Sequence, residues 1–303
     1  MYIADMHCDS LLTVTGETGL VNSYNVSKNN PHVQFFSAFT RRGLDDMNAR
    51  RRRTMELYNV YLYETERLGI DRITTGHDVF KVMDKGTSGA LFTIEGGAGF
   101  LPDSEELRIL KNGGLSVFGF AWDQNELSSS AYDDIDEGLT EAGRLMVDRL
   151  SELSVIIDVS HMSDRAFYET MELTSLPVLA THSNFRDVAD DRRNLSSPMA
   201  ELIAKRGGVI GLNLYPKFLS GKSEANLDDI LRQVDFGLSL VGEDSIGFGF
   251  DIDGTDGCYP SGIRTYRSIH EQVIELLLSR YSSKTVEKIA GLNVLEFLKN
   301  NLP

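Results

Sequence analysis

The stretch Ser154-Val155-Ile156-Ile157-Asp158-Val159-Ser160-His161-Met162-Ser163 carries the pattern on which the fold turns. An apolar run rich in Val and Ile reads as a buried strand over residues 154–161. A histidine interrupts that run at its C-terminal end. Ser163 then stands before Asp164-Arg165-Ala166-Phe167 as a helix N-cap, which predicts a helix over residues 163–174.

The same unit recurs along the chain. Strands are predicted over residues 2–7, 33–39, 90–95, 116–122, 177–182, 208–214 and 245–251. Helices are predicted over residues 45–68, 104–111, 140–151, 197–206 and 226–241, and Ser197-Pro198 supplies a cap followed by proline at the first helical position. Two more helices close the chain, over residues 266–280 and 283–300. In the second, Val286, Ile289, Leu292, Leu295 and Leu298 form an apolar stripe. Eight strands with helices between them predict a parallel sheet. At 303 residues the economical solution is a closed (β/α)8 barrel, a TIM barrel in the α/β class. We expect one such domain across residues 1–303, with the C-terminal helices packed on the barrel. An open doubly wound sheet is the main rival. No Gly-x-Gly-x-x-Gly follows an early strand and no Gly-x-x-x-x-Gly-Lys-Ser/Thr occurs, which weakens it.

Composition narrows the function. Hydrophobic residues make up 41% and charged residues 25%, ordinary for a globular protein. A net charge of −15 argues against nucleic acid and anionic membrane surfaces as partners. The run Arg50-Arg51-Arg52-Arg53 reads as a solvated helix face. No apolar stretch reaches the roughly 18 residues of a membrane span. No basic-then-apolar leader opens the chain, so a cytoplasmic protein is expected. Cys8 and Cys258 are the only cysteines and make no disulfide framework.

The strand ends carry the chemistry. His7 and Asp9 close the first predicted strand, Glu95 the third, His161 the fifth, His182 the sixth and Asp251 the eighth. In a barrel those ends share one rim, where active sites are built. Each residue alone has a plainer reading, as a polar strand ending or a loop cap. Together, three imidazoles and three carboxylates suit zinc or a similar divalent ion. Six such residues suggest two metals, one bridging acid and one acid for proton transfer. Gly96 and Gly97 allow a tight bend beside Glu95. On a strand, Asp5, His7 and Asp9 share a face, with Asp5 one layer deeper as support and Cys8 pointing away. Of the six histidines, His32 and His77 read as loop residues and His270 as a helix surface.

These residues resemble a known family. Asp5-Met6-His7-Cys8-Asp9, Ile94-Glu95-Gly96-Gly97, Ser160-His161-Met162-Ser163, Thr181-His182-Ser183-Asn184, Arg193-Asn194-Leu195 and Phe250-Asp251-Ile252-Asp253-Gly254 are similar, in order, to motifs of the membrane (renal) dipeptidases, the M19 metallopeptidases. Gly207–Asn213 and Gly291–Leu295 extend the likeness over nearly the whole chain. The resemblance implies a (β/α)8 barrel of the metal-dependent hydrolase type with two zinc ions per chain, or other divalent metals. It implies that His7 and Asp9 bind one ion, His161 and His182 the other, and Glu95 both. It implies a dipeptide substrate, D-residue dipeptides included, cleaved by a metal-bridged hydroxide. Arg193 would hold the substrate's C-terminal carboxylate, and Asp251 would contact the amine and move the proton, with Asp253 a second candidate. Family members often form homodimers.

The sequence also departs from the family. Trp122 stands where mammalian members carry a substrate-contacting histidine; the bacterial form has Trp-Asn, and here Asp123 replaces the asparagine. Trp122 is a candidate substrate wall. After Gly254 the usual Pro-Glu-Gly-Leu is missing. Two other readings stay open: an amidohydrolase-type enzyme acting on another amide, lactone or ester, and an inactive binding protein. A carbamylated bridging lysine is common in the first group; the acid Glu95 in that place favours the dipeptidase.

Overall fold

The computed structural model describes residues 1–14, 31–40, 46–265 and 268–303. Its strands are β1 (Ile3–Asp5), β2 (His32–Phe39), β3 (Asp71–Arg72), β4 (Gly89–Glu95), β5 (Leu115–Gly119), β6 (Ile156–Asp158), β7 (Leu179–Ala180), β8 (Val209–Leu212) and β9 (Ile246–Phe248). All their pairings are parallel. The order runs β2-β1-β9-β8-β7-β6-β5-β4-β3, and β2 also pairs with β4. That last pairing closes a barrel of eight strands with helices between them, a (β/α)8 fold. The ninth strand, β3, pairs only with the start of β4. The eight strands predicted from sequence are the eight of the barrel.

Alternation along the strands sorts the core. Val33 and Phe35 of β2, Leu91 of β4 and Val117 of β5 join Ile156, Leu179 and Val209 in an inner cluster. Val294, Leu295, Phe297 and Leu298 of the helix Asn293–Asn301 belong to the same cluster. The final helix therefore seals the end of the barrel opposite the rim. Residues of opposite parity, such as Phe36, Phe92 and Ile94, pack outward with helix residues including Leu57, Leu107 and Phe167. Glu95 shares its parity with Leu91 and Thr93, so β4 delivers its carboxylate to the inside of the rim.

Six of the eight barrel strands are shorter than predicted, whereas β2 and β4 each begin one residue earlier. β1 stops at Asp5 because Asp5 Oδ1 accepts the His7 N–H at 3.1 Å, turning the chain out of the ladder. His161 (φ 66°) and Asp251 (φ 60°) adopt left-handed conformations that a pleated strand cannot contain. β3 and the helix Gly76–Lys85 were not predicted; β3 is two exposed residues, too short for a pattern. The short helices Ser10–Val14 and Pro216–Ser220 were missed too. The last predicted helix is interrupted by a π-turn at Lys288–Leu292. There Gly291 lies so close to β1 that a Cβ would sit 2.6 Å from the Tyr2 carbonyl oxygen. The predicted helix starts at residues 45 and 266 lie outside the described residues.

Three histidine assignments are corrected: His77, expected in a loop, lies in the helix Gly76–Lys85. His32 is the first residue of β2 and is buried, and His270 is buried rather than on a helix surface. Both side chains face the seam where β1 meets β9. Asp5 does not share the rim with His7 and Asp9; its carboxylate turns back toward His270.

Candidate metal centre

Five of the proposed ligands meet at the rim. Glu95 stands between two groups and divides its oxygens between them. Oε2 lies 3.3 Å from His7 Nε2, which is 3.8 Å from Asp9 Oδ1 and 3.8 Å from Asp251 Oδ1. Oε1 lies 2.9 Å from His161 Nε2 and 3.5 Å from His182 Nε2, and those two nitrogens are 2.9 Å apart. The rings of His7 and His182 stack at 3.7 Å.

His182 and Asp251 are held from behind. Asp158 Oδ1 accepts the N–H groups of Ser160 and Thr181, both at 2.9 Å, and Oδ2 accepts the Thr181 hydroxyl at 2.5 Å. Thr181 Oγ1 in turn lies 2.8 Å from His182 Nδ1. With its proton committed to Asp158, the hydroxyl accepts from Nδ1–H, which leaves the Nε2 lone pair facing Glu95. Asn213 Nδ2 donates to Asp251 Oδ2 at 3.0 Å. Sequence reading gave Asn213 no role, although it stands one residue before the end of a predicted strand. Asp253 turns elsewhere and accepts from Ser10 Oγ at 2.7 Å. Gly254 has no room for a side chain, since a Cβ would lie 2.0 Å from Asp251 Oδ1 and 2.7 Å from Asp9 Oδ2. Cys8 is buried with its Sγ against the Phe35 carbonyl, away from the centre.

The electrostatics show a site built for a cation. Burial alone would lower the pKa of His7, but Glu95, Asp9 and Asp251 outweigh it and hold it up to about 10. Burial and the nearby Glu95 charge push Asp9 well above the usual carboxylate range. Burial would also raise Glu95, yet His7, His161 and His182 hold it well below. Burial, then the Arg193 charge, brings His161 down to about 4; burial and His7 hold His182 well below its usual range. His7 Nε2, Asp9 Oδ1 and Glu95 Oε2 are buried with no hydrogen-bond partner. Three such atoms aimed at one point fit a divalent cation, and imidazole with carboxylate is the donor set zinc accepts.

Residues 2–301 match the sequence profile of the membrane dipeptidases. The chain belongs to the membrane dipeptidase family, peptidase family M19. It is thus a hydrolase of the metallopeptidase kind. It is 30% identical over 68% of its length to an uncharacterized protein of the pqqA 5' region of Klebsiella pneumoniae, spanning 80% of that protein. It is 27% identical over 82% of its length to the dipeptidase tcpJ of Claviceps purpurea, and spans 57% of that longer chain. A metallopeptidase from Rhodobacter sphaeroides, solved with a phosphinate mimic of L-Ala-D-Ala, shares the fold at TM-score 0.88 and 21% identity, over 99% of both chains. The probable dipeptidase PvdM of Pseudomonas aeruginosa shares it at TM-score 0.79 and 20% identity, over 92% of this chain and 87% of its own.

In this M19 chain a cleft of about 420 Å³ opens on Asp9, Glu95, His161 and Asp251. Aromatic rings line it. Trp122 packs against Phe39 at 5.0 Å and approaches the His161 ring at 6.1 Å, while Tyr215 and Phe218 form a second pair, also at 5.0 Å. Arg193 is buried beneath, with its Cζ 5.6 Å from the centre of the Phe218 ring. Its Nη1 donates to Ser183 Oγ at 2.7 Å and its Nη2 to the His182 carbonyl at 2.8 Å, whereas Nε has no partner. Among the described residues no helix is long and apolar enough to cross a membrane.

Proposed function

We propose that this chain hydrolyses the peptide bond of dipeptides with two divalent ions, zinc by preference. The observation that carries the reading is the division of the Glu95 carboxylate, one oxygen toward His7 and Asp9 and the other toward His161 and His182. His7 and Asp9 would hold one ion, His161 and His182 the other, with Glu95 shared. Bound there, the ions would polarise the scissile carbonyl and activate water.

The chain's own residues supply the rest. Asp251 is raised by burial, against the pull of His7, so it can carry a proton toward a leaving amine. Asn213 fixes which Asp251 oxygen faces the cleft. Arg193 offers its unpartnered Nε–H, and the second hydrogens on its Nη atoms, to a C-terminal carboxylate. Trp122 and Phe39 form a wall for a substrate side chain. A site that binds both ends of a dipeptide rejects longer chains. The Rhodobacter relative's L-Ala-D-Ala mimic extends the proposal to dipeptides with a D-residue at the C-terminus.

Metal analysis of purified protein should find about two zinc equivalents per chain. A panel of L-L and L-D dipeptides, lactones and phosphotriesters then reads the reaction. Turnover of lactones or triesters without dipeptides would overturn the proposal.

A further inference from the structure

Behind the rim lies a second, fully buried polar network. Asp5 is 0% exposed, His270 2% and His32 3%. His270 Nε2, on the helix Ile269–Leu278, lies 2.7 Å from Asp5 Oδ2; with Asp5 ionised, the ring is the donor. The His270 ring stacks on Phe250 at 4.9 Å and meets His32 edge-on at 4.7 Å. Gln34 Nε2 donates to the Asp5 carbonyl at 3.2 Å, and Gln34 Oε1 lies 3.1 Å from His32 Nε2.

The other Asp5 oxygen joins the segments that follow β1 and β9. Oδ1 accepts the backbone N–H of His7 and that of Phe250, each at 3.1 Å. His7 is a proposed ligand, and Phe250 directly precedes Asp251. At this seam β1 and β9 share the single register pair Asp5↔Phe248, as few as β6 and β7 share.

We propose that Asp5 and His270 are positioning residues: together they clamp the backbones of His7 and Phe250 and so set His7 Nε2 and Asp251 Oδ1 3.8 Å apart for metal capture. Without His270, a buried carboxylate loses its side-chain donor. It then turns to find another partner and releases one of the two N–H groups. The ligand rotamers themselves stay untouched; what changes is the backbone that carries them. This inference rests on His7 being a metal ligand.

Cobalt(II) titration of the metal-free full chain tests it, because the visible spectrum reports the ligand geometry directly. His270→Ala should weaken cobalt binding by about 10- to 100-fold and alter the spectrum, as loss of support behind a ligand does. His270→Gln, whose amide N–H can again reach Asp5, should recover most of the affinity. If His270→Ala fails to fold, Asp5→Asn and His270→Gln carry the test: the first weakened and the second close to wild type is the expected result. Wild-type affinity and spectrum in all folded variants, with only a lower melting temperature, would reduce the pair to a structural role and overturn the proposal. If the wild-type chain takes up no cobalt, the metal reading itself fails and this inference falls with it.

Discussion

Arg50 grips Asp123 through two hydrogen bonds, Nη1 to Oδ1 at 2.8 Å and Nη2 to Oδ2 at 3.1 Å. The arginine comes from the helix Met47–Leu68 and the aspartate from the loop behind Trp122. So one member of the four-arginine run is no solvated face but a brace for the cleft wall. It also gives Asp123 a reason to be acidic, since a neutral amide there could not form a charged fork with a guanidinium. Arg50→Gln or Asp123→Asn should let Trp122 drift. We expect KM for dipeptides to rise, up to the ~10²-fold that an ångström of misplacement can cost. The exchanged pair, Arg50→Asp with Asp123→Arg, should recover part of the loss. Unchanged steady-state kinetics in both single variants would rule the brace out.

Arg193 predicts a preference for free C-termini. Wild type should turn over a dipeptide far better than its C-terminal amide. Arg193→Lys keeps the charge but loses the fork, which removes about 1.5–3 kcal/mol, or roughly 10- to 100-fold in KM. Because Arg193 also ties down His182 and Ser183, the decisive reading is the ratio between acid and amide substrates. That ratio should collapse; an intact ratio would remove Arg193 from carboxylate binding.

His7 predicts proton release on metal binding. Its pKa in the metal-free protein stands at about 10, so at pH 8 it holds a proton that a metal must displace. Calorimetric titration with zinc in buffers of different ionisation enthalpy should show about one proton leaving per chain; buffer-independent heats would contradict this. The sign for stability follows. A histidine raised above its ordinary 6.5 stabilises the metal-free fold fully below pH 6.5, and that contribution is lost as pH rises toward about 10. Melting temperatures of metal-free protein should fall across that window.

Gly254→Ala should damage the site more than the fold. The atoms nearest the added carbon belong to the carboxylates of Asp251 and Asp9, both at the rim. Metal content and turnover should drop together while the melting temperature of metal-free protein changes little. A fully active Gly254→Ala enzyme would show that the rim can rearrange freely.

The barrel was legible because its strands are apolar runs that stop at polar residues, and the structure brings those stopping points together. His7, Asp9, Glu95, His161, His182 and Asp251 stand on one rim as their positions in sequence suggested. The helix Gly76–Lys85 was overlooked despite its Thr75 cap and the buried Val79 and Val82, but other features that escaped notice lack a period. β3 has two residues, and His161 and Asp251 leave their strands through left-handed backbone that no side-chain alternation announces. His32 and His270 looked superficial because burial of a polar side chain depends on a partner from far along the chain; His270 finds Asp5. Asn213 stands one residue before the end of a predicted strand, but it is neither a histidine nor an acid, the residue types placed on the strand ends. Arg50 read as surface because its three basic neighbours masked it.

The seam between Asp5 and Phe250 joins residues 245 positions apart. A ribosome delivers His7 long before Asp251, and Val294 to Leu298, which stopper the far side of the barrel, later still. Until then β1 lacks one neighbour and its histidine has no completed set of companions. The proposed centre would therefore be completed only after Asp251 is made: a chain stalled before it carries His7, Asp9 and Glu95 but cannot close the rim. Such long-range closure is also slow to form, and it leaves an apolar strand edge waiting through most of translation.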